Sequence, residues 1–189
     1  MVMLTTRRSR GIMVKALAEW SCLRRCPANI ADSLLHEELN PHNSKLKTHN
    51  STIDIMETRK HIAAAKKQCN THNCAQAILT TYADVAGVDE QTAMDIAGAF
   101  GVGMGNMEGT CGALVGVGLV LGMKNKDRAR SMKQMRKVMT RFQERNGATQ
   151  CKLLKGVGTK QVLRQCPDCV ADASEFLEEQ LQEHEPQAL

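Results

Sequence analysis

The sequence predicts an all-α protein, a compact bundle of five to seven helices around a central glycine-rich apolar helix. Three observations lead there. Aromatic residues are 3% of 189 while methionines number eleven, a core chemistry of Ala, Leu, Val and Met that suits packed helices better than a β-sandwich. Apolar residues from Met56 onward recur at three and four rather than at two. Candidate caps and stops punctuate each periodic run, and no convincing strand is found among them.

The elements follow in order. Residues 1–55 lack sustained periodicity, and the stretch from Asn40 to Thr52 has the composition of a linker. They are expected to be an extension outside the fold, or sequence ahead of a true start at Met56, with the domain spanning 56–189. Helix one is expected over Glu57–Cys69, with Ile62, Ala63 and Lys66 opening a narrow apolar face. Asn73 is a good cap for a second helix, Cys74–Ala86, buried through Ala77, Ile78, Tyr82 and Val85 and stopped at Gly87. Asp89 caps a third, Glu90–Ala99, with Ala93, Met94, Ile96 and Ala97 inward. A glycine-rich loop, Gly98 to Gly109, comes next.

Thr110 is the expected cap of helix four, which runs to Leu121 with Gly122 beyond it. This helix is apolar nearly all round and should be the central one. Gly112, Gly116 and Gly118 would each cost up to about 1 kcal/mol there, an expense offset if they let neighbouring helices approach closely. Helix five, Asp127–Asn146, buries Met132, Met135, Val138, Met139 and Phe142 and stops at Gly147. Its outer face carries nine Lys or Arg from Lys124 to Arg145 against Asp127 and Glu144. The last helix begins at Pro167, buries Val170, Ala173, Leu177 and Leu181, and is acidic in its second half.

Composition narrows the function. With 42% apolar and 24% charged residues and a net charge of +5, the chain is expected to be soluble and cytoplasmic. No secretory signal is recognisable, and the longest apolar run, Ala113–Leu121, is about half a bilayer span. The basic face of helix five lacks interleaved aromatics, which argues against nucleic acid. Pairing with the acidic last helix is its default role, and docking of a redox partner protein the functional alternative.

Eight cysteines are the anomaly. In a reducing compartment they point to metal binding or catalysis before structural disulfides. Four hold the same kind of place. Cys74 follows Asn73, Cys111 follows Thr110, Cys151 lies just after Thr149 at a short helix through Leu154, and Cys166 precedes Pro167 as a cap. Helix N-termini lower thiol pKa values and steady anions, so four such thiols suggest one shared anionic centre. Gly101, Gly103 and Gly105 allow the backbone to approach such a centre and to offer it N–H donors. The Gly101-x-Gly103 spacing is no dinucleotide fingerprint, because no strand precedes it.

These pieces, Asn73-Cys74-Ala75-Gln76, Phe100 through Gly105, Cys111-Gly112-Ala113-Leu114-Val115-Gly116, Cys151 and Cys166-Pro167, are those of a known pattern. In their order, from about Glu57 to Leu181, the chain resembles the C_GCAxxG_C_C family of redox-active proteins. The resemblance implies a small helical prokaryotic protein whose four cysteines serve redox chemistry. A similar domain in split-Soret cytochromes looks like the holder of an iron–sulfur cluster. The ligands so implied are Cys74, Cys111, Cys151 and Cys166, while Cys69 and Cys169 depart from the basic pattern.

An iron–sulfur cluster leads the functional readings, [2Fe–2S] ahead of [4Fe–4S]. Zinc fits less well, since only Cys166-x-x-Cys169 has the spacing of a close pair. A thiol–disulfide oxidoreductase using Cys166 with Cys169, or Cys74 with Cys111, is the alternative, and a reversible Cys69–Cys74 disulfide is a further one. The plain alternative is cysteines that only pack. Cys22 and Cys26 are expected to have no site role. His61, His72 and Glu108 are expected to be solvated or helix-start residues rather than ligands. No acid–base constellation identifies an enzyme.

Overall fold

The computed structural model describes residues 51–183, with side chains from Thr58 onward. All of them belong to the unit that begins at His49. The expectations for residues 1–50, including Cys22 and Cys26, lie outside the described residues.

Eight α-helices are present among the described residues, and no strand. They are α1 (Ser51–Gln68), α2 (Cys74–Thr81), α3 (Ala83–Ala86), α4 (Glu90–Ile96), α5 (Gly112–Asn125), α6 (Arg128–Asn146), α7 (Cys151–Leu154) and α8 (Cys166–Gln182). Two of these are single turns, so the expected bundle of five to seven corresponds to six longer helices and two caps of structure. A 3₁₀ turn at Gly98–Phe100 follows α4.

Local chemistry explains most boundaries. Asn73 accepts from the Gln76 N–H, and the Gln76 side chain accepts in return from the Asn73 N–H, a complete capping box. Asp89 accepts from Thr92 N–H at 3.0 Å to start α4, and Asp127 from Ala129 N–H at 2.8 Å to start α6. Gly147 closes α6 at φ 78°.

Four boundaries differ from expectation. The first helix begins at Ser51, within the stretch read as linker. The second breaks at Tyr82, because the Thr80 and Thr81 hydroxyls donate back to the carbonyls of Gln76 and Ala77 at 2.8 and 2.7 Å. Such bonds bend a helix. Tyr82 then anchors the bend, its hydroxyl 2.7 Å from Ser174 Oγ on α8. Helix α4 stops at Ile96, short of Ala99, and α5 runs past Gly122 to a left-handed Lys126. Three side chains expected inward face out: Ile62, Ile96 and Met132.

Helix α5 is the centre. It packs on α2, α3, α6 and α8 and buries Ala113, Leu114, Val117, Val120 and Leu121 completely. Each such Leu or Val contributes about 1.5–3 kcal/mol. Two of its glycines permit the closest crossing. A Cβ on Gly112 would lie 2.6 Å from the Phe100 carbonyl oxygen, and one on Gly116 would lie 2.8 Å from Ile78 Cβ. Gly118 and Gly122 face no such constraint.

Helices α6 and α8 are held by opposite charge. Arg145 pairs with Asp172 at 3.2 Å and with Glu175 at 2.8 Å. Lys137 pairs with Glu183 and Arg141 with Glu179. Arg141 and Arg145 also lie over the Phe176 ring, 4.9 and 4.3 Å from its centroid. Part of the basic face of α6 is therefore spent on the acidic last helix.

Candidate functional site

Five cysteines among the described residues are free: Cys74, Cys111, Cys151, Cys166 and Cys169. Three of them are the first residue of a helix: Cys74 of α2, Cys151 of α7 and Cys166 of α8. Cys111 is itself the residue that caps α5, one place earlier in the helix than expected. The caps of α7 and α8 are Gln150 and Gln165, so Cys166 does not cap α8 but opens it. Pro167 fits behind it because its missing N–H would have had no helical partner.

Backbone pairing brings distant parts of the chain together. Thr110 and Gln150 form an antiparallel bridge. Cys111 N–H donates to the Thr149 carbonyl at 2.8 Å and Cys151 N–H to the Gly109 carbonyl at 3.0 Å. Outside the bridge, Glu108 binds Lys152 at 2.5 Å. The heads of α5 and α7 are thus stitched side by side.

The glycine loop fits between them and α2. A Cβ on Gly101 would lie 2.6 Å from Asn73 Cβ, and one on Gly103 would lie 2.6 Å from Cys151 Cβ. Gly103 also stands at φ 56°, a conformation that suits glycine. Asn73 holds the other side, its Nδ2 donating to the carbonyls of Ala97 and Gly98 at 3.1 and 2.9 Å. Gly105 gives its N–H to the Gly101 carbonyl at 2.9 Å, so this donor closes the loop on itself.

The five thiols interact with one another. Cys166 holds its proton weakly: its pKa falls to about 6, first because the Cys74 thiol favours its thiolate by hydrogen bonding and then because Lys155 and Lys67 lie near. Cys74, the donor, is correspondingly pushed up, with burial adding to the effect. Cys111 is lowered by a hydrogen bond from Cys169 and by the N–H groups of Ala113 and Leu114 at the head of α5. Cys169 is pushed up in turn. Cys151 is raised by burial and by the charges of Cys111 and Cys166.

The strongest electrostatic couplings therefore run between Cys74 and Cys166 and between Cys111 and Cys169. The expected dithiol couples, Cys166 with Cys169 and Cys74 with Cys111, also feel one another's charge, though less strongly. Residues 166 and 169 lie a turn apart on α8, and Cys166 couples most strongly to Cys74 at the head of α2 and Cys169 to Cys111 at the head of α5. Cys169 is a site residue that the four-cysteine pattern omits; its i+3 spacing from Cys166 was the available signal. Cys69 is disulfide-bonded, and because Cys74 is free the Cys69–Cys74 bridge is not formed.

A cleft of about 340 Å³ opens beside this cluster, with Cys74, Cys151 and Cys166 in its wall together with Lys67, His72 and Lys155. His72 is half-buried, its Nδ1 2.8 Å from Thr71 Oγ1, and its pKa is lowered by burial and by Lys66. His61 lies exposed on α1. Among the described residues no three His, Cys, Asp or Glu side chains are placed to share one metal ion. No helix among them is long and apolar enough to cross a membrane.

No curated protein and no solved structure matches the chain. One family does, over residues 72–180, the span that carries all five free thiols; it is described as "Putative redox-active protein (C_GCAxxG_C_C)". The chain belongs to this redox-active C_GCAxxG_C_C family.

Proposed function

We propose that the thiol cluster is a redox centre that holds an iron–sulfur cluster through Cys74, Cys111, Cys151 and Cys166, for electron transfer or redox sensing. One observation carries this reading: four helix heads deliver free thiols to one neighbourhood, beside a cleft flanked by Lys67 and Lys155. The donor set suits such a centre. Its members are all sulfur, and their charges act on one another.

In a [2Fe–2S] core each iron takes two protein ligands, and Cys74 with Cys166, the pair coupled most strongly, would supply one such couple. Cys111 would supply the other with Cys151, as the family pattern implies, or with Cys169, as their coupling favours. A bound cluster would supply one-electron transfer. The residues around it would set its conditions. Lys67, Lys155 and the N–H groups of Ala113 and Leu114 offset negative charge, and burial of Cys74, Cys111, Cys151 and Cys169 excludes water.

The Cys74–Cys166 coupling favours a second reading, thiol–disulfide exchange. Cys166 is the least buried of the five. Its thiolate would attack a substrate disulfide, forming a mixed disulfide and releasing one thiolate. Cys74 would then attack the Cys166 sulfur, closing a Cys74–Cys166 disulfide and releasing the second thiol. The substrate gains two electrons and this chain loses two.

Anaerobic purification separates the readings. Iron and acid-labile sulfide in a coloured protein support the cluster, and Ser in place of Cys74, Cys111 or Cys166 should bleach it. Comparison of Cys151→Ser with Cys169→Ser identifies the fourth ligand. A colourless protein in which Cys74 and Cys166 titrate reversibly supports exchange. Thiols without metal and without reversible oxidation overturn both.

A further inference from the structure

The geometry points to a docking face for an acidic electron-carrier protein on the surface that frames the thiol cleft. Nine large apolar side chains among the described residues are 38% or more exposed. Six of them, Val102, Met104, Leu153, Val157, Val162 and Leu163, lie on just two segments, the glycine loop and the stretch through and after α7. Lys152 N–H joins the two segments by donating to the Met107 carbonyl at 2.9 Å, and within the second Leu163 N–H donates to the Leu154 carbonyl at 3.0 Å. Val102 also reaches the cleft wall beside Cys151 and Cys166.

The backbone is held in costly conformations on this face. Val102, Met104 and Lys160 have φ of 52°, 64° and 58°, in the left-handed region that a β-branched residue such as Val102 rarely adopts. Strain of this kind persists where the surrounding structure over-determines it, often at sites of recognition.

Charge selects the occupant. From Gln150 to Gln165 the chain carries Lys152, Lys155, Lys160 and Arg164 and no acidic residue. Glu108 answers Lys152 and Asp172 answers Arg164, while Lys155 and Lys160 have no carboxylate partner among the described residues. A second copy of a chain with net charge +5 is repelled. Residues 1–50, with eight Lys or Arg against four Asp or Glu, match the rim poorly. A partner with an apolar patch ringed by carboxylates complements it, and such steering speeds encounter.

This inference rests on the redox reading of the thiols. A reduced one-electron carrier seated here would pass an electron across the cleft; the carrier is oxidised by one electron and the centre reduced by one. No bond forms and no proton need move.

The test uses the full chain, purified anaerobically, with a plant-type [2Fe–2S] ferredoxin as the acidic probe and a basic c-type cytochrome as the reference. Titration calorimetry should show ferredoxin binding in about the micromolar range, the strength of transient redox encounters, weakened by salt, with the cytochrome silent. Lys160→Glu and Met104→Ser should each weaken it about tenfold, with unchanged circular dichroism. Lys133→Glu and Arg136→Glu on α6 should leave it intact. Equal binding by the patch variants, or a loss confined to the α6 variants, overturns the proposal. So does sedimentation showing a dimer that Met104→Ser dissolves, or capture by anionic lipid vesicles without ferredoxin binding. Dithionite reduction of the same sample reads the centre separately. A reducible centre without ferredoxin binding sinks only the docking face, and binding to a chain without a reducible centre sinks the redox reading.

Discussion

At the residue, the chemistry turns on a proton shared unequally between two thiols. Cys166 lies near pKa 6 against an ordinary thiol value of 9.0, and Cys74 is raised. In the metal-free chain, iodoacetamide should therefore label Cys166 with a midpoint near pH 6. Cys74→Ala should move that midpoint up, because the donor that steadies the thiolate is gone; mass spectrometry of the labelled peptide measures both. The stability sign follows. The lowered group stabilises the fold fully above the unfolded thiol pKa, and that contribution is lost as pH falls through about 6. The raised group's contribution is present below the unfolded value and lost as pH rises past it. Stability of the metal-free chain should thus rise from about pH 6 toward the ordinary thiol value of 9.0 and fall beyond it, and denaturant melts that stay flat or decline between pH 6 and 9 would contradict the coupling. None of this shift can be read from spacing. The sequence shows a cysteine at each helix head, and only the fold says which thiol faces which.

At the element, the glycines of α5 separate into two kinds. Gly112 and Gly116 lie where α2 crosses, and an added methyl would meet the Phe100 carbonyl or Ile78. Their replacement by Ala should cost about 1–3 kcal/mol. Gly122, with open space around it, and Gly118, with only Met135 Sδ at 3.8 Å, should gain up to about 1 kcal/mol from the same change. Thermal melts of the four variants should order themselves that way. A uniform response would mean that close crossing is not what these residues serve. The sequence made the tight approach legible as a run of glycines in an apolar helix, but it marked all of them alike. Capping was more readable still. Asn73, Asp89 and Gly147 announce their ends because a cap is satisfied by neighbours three or four residues away, while Asp127, read as the first helical residue, is the cap of α6. The break at Tyr82 was not legible, since its anchor, Ser174, is 92 residues distant.

At the scale of the molecule, α8 is fastened by one buried carboxylate. Asp172 is 4% exposed and holds Arg145 at 3.2 Å and Arg164 at 3.0 Å. Arg164 belongs to the segment that leads into Cys166, and its carbonyl faces the Cys169 thiol at 4.0 Å. Asp172→Asn should cost about 2–3 kcal/mol, the order expected for hydrogen bonds to a charged group, and should raise the alkylation rate of the otherwise buried Cys169. Loss of stability with Cys169 still protected would confine Asp172 to holding the helices. By itself the sequence determined the helices, the central place of α5, the four thiols at helix starts and the membership of a redox-active family, because these depend on local periodicity, short-range capping and motif order. Tertiary structure alone decided that Cys169, which the sequence paired only with Cys166, couples most strongly to Cys111, that Cys74 couples to Cys166, and that an apolar, basic-rimmed face lies beside them. Such pairings are set by how helices cross and which side chains remain outside, and those relations act between residues far apart in the chain.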